Sequence, residues 1–174
     1  MNFDLAKISS RAAYGLGFLA CLGMMGVALI FQYVLDLEPC PLCTIARIQV
    51  IVLGLLFLVA LLQGPGATGV RIYGALTVLL AGSGIAISAR HVWLQSLPAG
   101  QVPECGPGLG YLLSVLPLRD AVELILTGSG ECQEVAWRFL GLSIPGWTLI
   151  AFALFAMFGF WQLTHPTSEL KPFK

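Results

Sequence analysis

Charge is what this chain has least of. Only 10% of its 174 residues are Asp, Glu, Lys or Arg, where a soluble domain carries about 25%. The 9 basic and 9 acidic residues cancel, so no basic surplus exists to hold nucleic acid. Histidine is scarce, with 2 in the chain, and apart from His91 at its very start the long polar connection described below has none. There is one CxxC and no second, no internal repeat and no low-complexity run. No convincing small-residue cleavage site accompanies the first apolar stretch, which is also too long for a signal-peptide core. We read it as a retained helix. What is present is apolar: 57% of residues are hydrophobic and mean hydropathy is +0.88. Together these describe a membrane protein.

A spanning helix needs about 20 residues, and four stretches qualify: about 12–35, 41–62, 70–89 and 144–163. The expected fold is all-α, a four-transmembrane-helix bundle forming one membrane domain over residues 1–174. Asp36–Cys40 is a short connection, so the first two helices should be antiparallel neighbours. Gln63–Gly69, "QGPGATG", reads as a tight turn. The third connection, about 90–143, is long and holds Glu104, Asp120, Glu123, Glu131 and Glu134. Lys7, Arg11, Arg71, Lys171 and Lys174 share one side if four helices alternate. That bias predicts cytoplasmic termini, with the CxxC and the long loop facing outward.

Four of the cysteines then share the outward side, Cys40 and Cys43 at the first connection and Cys105 and Cys132 in the long loop. An outward location permits disulfides. Cys21 lies mid-helix in a small-residue row with Ala13 and Gly17, and reads as packing. Pro41 suits the first position of a helix, which puts Cys40 near the N-cap and Cys43 in the first turn. The helix N-terminus and Arg47, four residues after Cys43, both favour thiolate over thiol. A thiolate that leaves easily makes a readily reduced disulfide. Two other readings stand beside the redox one: a four-thiolate zinc site, and a pair of structural bridges. We expect no metal centre.

Arg47 would sit about one turn inside the apolar region, where insertion scales put its cost at about 2.5–3.5 kcal/mol. It either snorkels to the interface or binds an electron-rich group beside Cys43. His91, in "SARHVW" at the end of the third helix, returns to the same depth. It is either an interfacial histidine or the second wall of one small site. A redox thiolate at lipid depth, flanked by a cation, suits a lipid-soluble acceptor, and a quinone is the obvious candidate.

Four segments carry a family resemblance: "FQYVLDLEPCPLCTIAR", "ARHVWLQ", "LPLRDAVELILTGSGEC" and "WRFLGLSIPGW". With them the chain resembles, over nearly its whole length, the disulfide bond formation protein B (DsbB) family of bacterial inner membranes. The order of the cysteines differs from that of the vitamin K epoxide reductase relatives, in which the loop pair precedes the CxxC. The resemblance implies reoxidation of a periplasmic thioredoxin-like dithiol oxidase, DsbA, with electrons passed to ubiquinone or menaquinone. It implies that Cys105 forms the mixed disulfide with DsbA and that Cys132 is its mate. Cys40 and Cys43 would reoxidise that pair, with a transient Cys40–Cys132 pairing, and Cys43 would face a quinone held by Arg47 and His91. The Pro- and Gly-rich "PECGPG" around Cys105 suits an extended segment lying in the partner's groove. Leu116–Leu126 has the pattern of a short amphipathic helix on the membrane surface. The competing class is a non-enzymatic membrane protein that binds or transports soft metals through thiolates.

Overall fold

The computed structural model describes residues 10–37, 39–98 and 137–165. Cys105, Cys132, the expected amphipathic helix at Leu116–Leu126 and the terminal lysines lie outside the described residues. The described chain forms α1 (Ser10–Tyr33), α2 (Pro41–Gln63), α3 (Ala67–Ser96), the two-residue strands β1 (Arg138–Phe139) and β2 (Leu142–Ser143), and α4 (Ile144–Thr164). All four helices are long and apolar enough to cross a membrane. The shortest, α4, has 21 residues and spans about 32 Å, against a hydrocarbon core of about 30 Å. Large side chains such as Leu16, Leu62, Leu79 and Phe160 are more than half exposed, which suits contact with lipid.

The helix ends follow local chemistry. α1 closes with Asp36 in the left-handed region (φ 48) and the Leu37 N–H turned back to donate to the Phe31 carbonyl at 3.1 Å. α2 begins at Pro41 and ends at Gly64, left-handed at φ 55, whose N–H donates to the Ala60 carbonyl. Gly64–Gly66 is the whole turn to α3. α3 has 30 residues, about 45 Å of helix, and outruns the expected 70–89 at both ends. Polar Arg90, His91, Gln95 and Ser96 do not break it, because a helix leaving the hydrocarbon tolerates polar side chains. It stops where Pro98 forces Leu97 into extended backbone (ψ 147).

The helices alternate in direction. Gly17 packs on Phe57 and Gly54 on Cys21 between α1 and α2. Gln49 donates to Ser83 between α2 and α3. Gly74 meets Gly159, and Gly84 meets Phe152, between α3 and α4. In each pair rising numbers meet falling ones, the mark of antiparallel neighbours. Small residues at these crossings let backbones approach, and Cys21, 3% exposed, is one of them, as its sequence context predicts. Tyr14 is fully buried, its ring among those of Phe57, Tyr73 and Phe158.

The all-α expectation needs one addition. β1 and β2 form an antiparallel hairpin with Arg138 opposite Ser143 and Phe139 opposite Leu142. Leu140 (φ 51) and Gly141 (φ 81) are both left-handed, as a two-residue type I′ turn requires. The hairpin is pinned at the end of the bundle where α2 begins. Trp147 Nε1 donates to the Phe139 carbonyl at 3.1 Å, and the Trp137 ring lies 4.8 Å from that of Phe31 on α1.

Candidate active site

Cys40 is the N-cap of α2. Its backbone is extended (φ −64, ψ 165), and its sulfur accepts the Cys43 N–H at 3.4 Å. Its carbonyl accepts from both the Thr44 N–H at 3.0 Å and the Thr44 hydroxyl at 3.2 Å. The cap therefore fixes Cys40, and the helix that Pro41 starts carries Cys43 one turn inward. α3 brings His91 against both. Cys40 Sγ is 3.8 Å from His91 Nε2, and Cys43 Sγ is 3.9 Å from His91 Nδ1. Cys40 and His91 are buried, Cys43 partly so. Fully buried Leu42 and nearly buried Leu94 pack around this layer.

Arg47 lies one turn deeper on α2 and reaches across to α1. It donates through one terminal nitrogen to Gln32 Oε1 and through the other to the Ala28 carbonyl at 3.1 Å. A cation near the C-terminal turns of α1 complements the helix dipole. A guanidinium has five N–H donors, and these contacts use two. Arg47 is thus held as a fixed donor within the bundle.

Cys40, Cys43, Arg47 and His91 all line one cavity of about 150 Å³. Every helix contributes to its walls, with Met24 and Phe31 from α1, Val50 from α2, Ile87 and Ser88 from α3, and Thr148 from α4, while Leu37, Pro39 and Trp137 line it near Cys40. An apolar cavity of this size accommodates one benzene ring. The structure therefore brings together the four predicted site residues that fall within the described chain. Three further residues were not foreseen: Gln32, Ser88 and Trp137. Gln32 was legible in principle. A short connection between antiparallel helices sets residues equally far from it side by side, and Arg47 then faces the last turns of α1. Ser88 and Trp137 carry no comparable local signal.

The sulfur and imidazole donors of Cys40, Cys43 and His91 all lie within 4.8 Å of one another. That spacing suits proton exchange between thiols and imidazole, and it would also accept a soft cation. Donor geometry alone does not choose between the two. The wider arrangement does define a class: a four-helix membrane protein with a thiol pair at a helix start and a ring-sized cavity beneath it is built for thiol–disulfide redox chemistry at lipid depth.

Comparison with known proteins supplies the family. The profile of DsbB, "Disulfide bond formation protein DsbB", matches residues 10–162, and the chain belongs to this family. It is 50% identical over 157 residues to disulfide bond formation protein B of Nitrosococcus oceani, covering 90% of this chain and 93% of that one. It is 51% identical over 162 residues to the protein of the same name from Hahella chejuensis, covering 92% and 98%. The chain is accordingly a multi-pass membrane oxidoreductase of disulfide formation, and a soft-metal binder or transporter is set aside.

Proposed function

We propose that this chain draws electrons from a periplasmic DsbA-like dithiol through Cys105 and Cys132, and passes them through Cys40 and Cys43 to a membrane quinone beside Arg47 and His91. The observation that carries this reading is the shared cavity: Cys43, Arg47 and His91 border one space the size of a single ring. Its walls fit a quinone head group, apolar over most of their area with a fixed cationic donor on one side. The bound quinone, ubiquinone or menaquinone, supplies the sink for two electrons and two protons.

The chain's own residues do the rest. The α2 N-cap holds Cys40 at the outer rim, where a loop cysteine can reach it. Closing a disulfide between Cys40 and Cys43 releases two electrons and two protons. His91 touches both sulfurs and is placed to take a thiol proton, within the loose geometry usual before substrate binds. Arg47 meets the negative charge that develops on a carbonyl oxygen as it is reduced. In this reading both termini are cytoplasmic, the CxxC and the loop of Cys105 and Cys132 are periplasmic, and the membrane is the bacterial inner membrane. The short amphipathic helix expected at Leu116–Leu126 would lie on its outer surface.

Purified protein given a reduced DsbA-like partner should reduce a soluble quinone analogue. Cys43→Ser should abolish that turnover, and Arg47→Ala should raise the apparent KM for quinone more than it slows thiol exchange. Intact turnover in Cys43→Ser would remove Cys43 from the electron path.

A further inference from the structure

One hydroxyl on the cavity wall behaves unlike its neighbours. Serine and threonine inside helices ordinarily bond back to a carbonyl three or four residues earlier. Here Thr77 does so to Tyr73 at 2.8 Å, Ser83 to Leu80 at 2.8 Å, Ser96 to Trp93 at 2.6 Å and Thr148 to Ile144 at 2.9 Å. Ser88 does not. Its side chain is 2% exposed, its Oγ has no hydrogen-bond partner among the described residues, and it lines the cavity. A buried hydroxyl left unpaired is destabilising, more so where no water reaches it.

Ser88 is also at the right depth. The α2–α3 register is set by Cys43 beside His91 and Gln49 bonded to Ser83. That register puts Ser88 between the levels of Cys43 and Arg47, on the facing wall and about one turn below His91. Met24, Val50 and Ile87 near this level are apolar, and the Thr148 hydroxyl on the same wall already donates its proton to the Ile144 carbonyl. A buried water needs two to four polar partners and would have to find them in Ser88, Thr148 and the guanidinium of Arg47 together. A flat ring carrying a carbonyl oxygen needs only one donor from Ser88.

We infer that Ser88 is a further ligand of the quinone, its hydroxyl donating a hydrogen bond to a ring carbonyl oxygen in the cavity it shares with Arg47. The inference rests on the cavity being the quinone site. It makes the head group bound from two walls, α2 through Arg47 and α3 through Ser88.

The test is Ser88→Ala in full-length protein in lipid nanodiscs, with a short-chain ubiquinone carrying ¹³C at its carbonyls. Infrared difference spectra should show one carbonyl band of the bound quinone moving to higher frequency. The apparent KM for quinone should rise roughly 2- to 10-fold, the worth of one neutral hydrogen bond. Unchanged bands overturn the assignment, with or without a change in KM, because a packing effect or a satisfying water would leave the carbonyls as they were. Arg47→Ala separates the two levels of the argument. If it raises the quinone KM while Ser88→Ala changes nothing, the cavity is the quinone site and Ser88 is no ligand. If neither variant changes quinone binding, the site lies elsewhere and the proposed function of the cavity fails too.

Discussion

Gln32 should act on quinone only through Arg47. Its Oε1 accepts from one end of the guanidinium, while the Ala28 carbonyl takes the other. A hydrogen bond to a charged group contributes about 1.5–3 kcal/mol. The Ala28 anchor survives in Gln32→Ala, so the low end of that range is the ceiling, roughly tenfold in affinity. We expect the apparent KM for quinone to rise roughly 3- to 10-fold in Gln32→Ala. Gln32→Glu keeps an acceptor at the same place and should stay near wild type. The decisive assay is a double-mutant cycle on quinone KM with Gln32→Ala and Arg47→Ala. Residues that share one contact couple, so the double variant should be no worse than Arg47→Ala alone. Additive effects would mean that Gln32 touches quinone, or the fold, by a separate route, and the positioning argument would be wrong.

Three other outcomes follow from single contacts. In Gly84→Ala the new Cβ would lie 2.6 Å from a ring carbon of Phe152, itself fully buried, so the bundle should lose about 1–3 kcal/mol by overpacking; an unshifted unfolding midpoint in detergent would show that the α3–α4 crossing gives way easily. Leu140 holds φ 51 in the type I′ turn, a conformation costing a side-chain-bearing residue about 1–2 kcal/mol, and Leu140→Asn should slow amide exchange in the hairpin; faster exchange would contradict the turn assignment. His91→Phe keeps a ring against the thiols but removes both nitrogens, and should cut turnover by about 10²-fold or more if His91 moves protons, a loss that stopped-flow quinone absorbance would measure.

Much of the architecture was legible because its causes are local. Pro41 after Cys40 announces a helix start, and the structure gives Cys40 as the cap of that helix. Gly64 and Gly66 around Pro65 announce a turn, and a turn is there. The row Gly17–Cys21 announces close packing, and α2 packs on it. What was not legible depends on contacts between helices. The third apolar span is bounded at about residue 89 because hydropathy falls there, with "SARHVW" read as the helix end, whereas the observed helix continues to Ser96. A hydropathy window reports where a helix leaves lipid, not where its backbone bonds end; Pro98 marks the latter. Arg47 left two readings open because its partners, Gln32 and the Ala28 carbonyl, belong to another helix. The hairpin was missed because two-residue strands have too little alternation to register, although Leu140–Gly141 carries the glycine that a type I′ turn wants. Cys105 and Cys132 lie outside the described residues, so their place rests on the family pattern.

The overrun of α3 explains how a bundle of plain apolar helices holds a site at all. Had the helix ended at Ala89, His91 would sit on a loop, and a loop is a less exact support for a reacting group. Because α3 runs on, His91 stays in register with Cys43, and Gln95 reaches the Ser143 hydroxyl at the start of α4. The glycine crossings at Gly74–Gly159 and Gly84–Phe152 draw α3 and α4 together away from the end that carries the thiols. The cavity opens above them, walled by longer side chains such as Met24, Phe31 and Ile144. Along the α3–α4 seam the close glycine packing therefore lies away from the thiols, imidazole and guanidinium, and the cavity lies at the end where they meet. A substitution that loosens a glycine crossing should reach the site only by tilting α3. Its signature would be a parallel loss at Ser88 and His91, with the Arg47–Gln32 contact between α1 and α2 left in place.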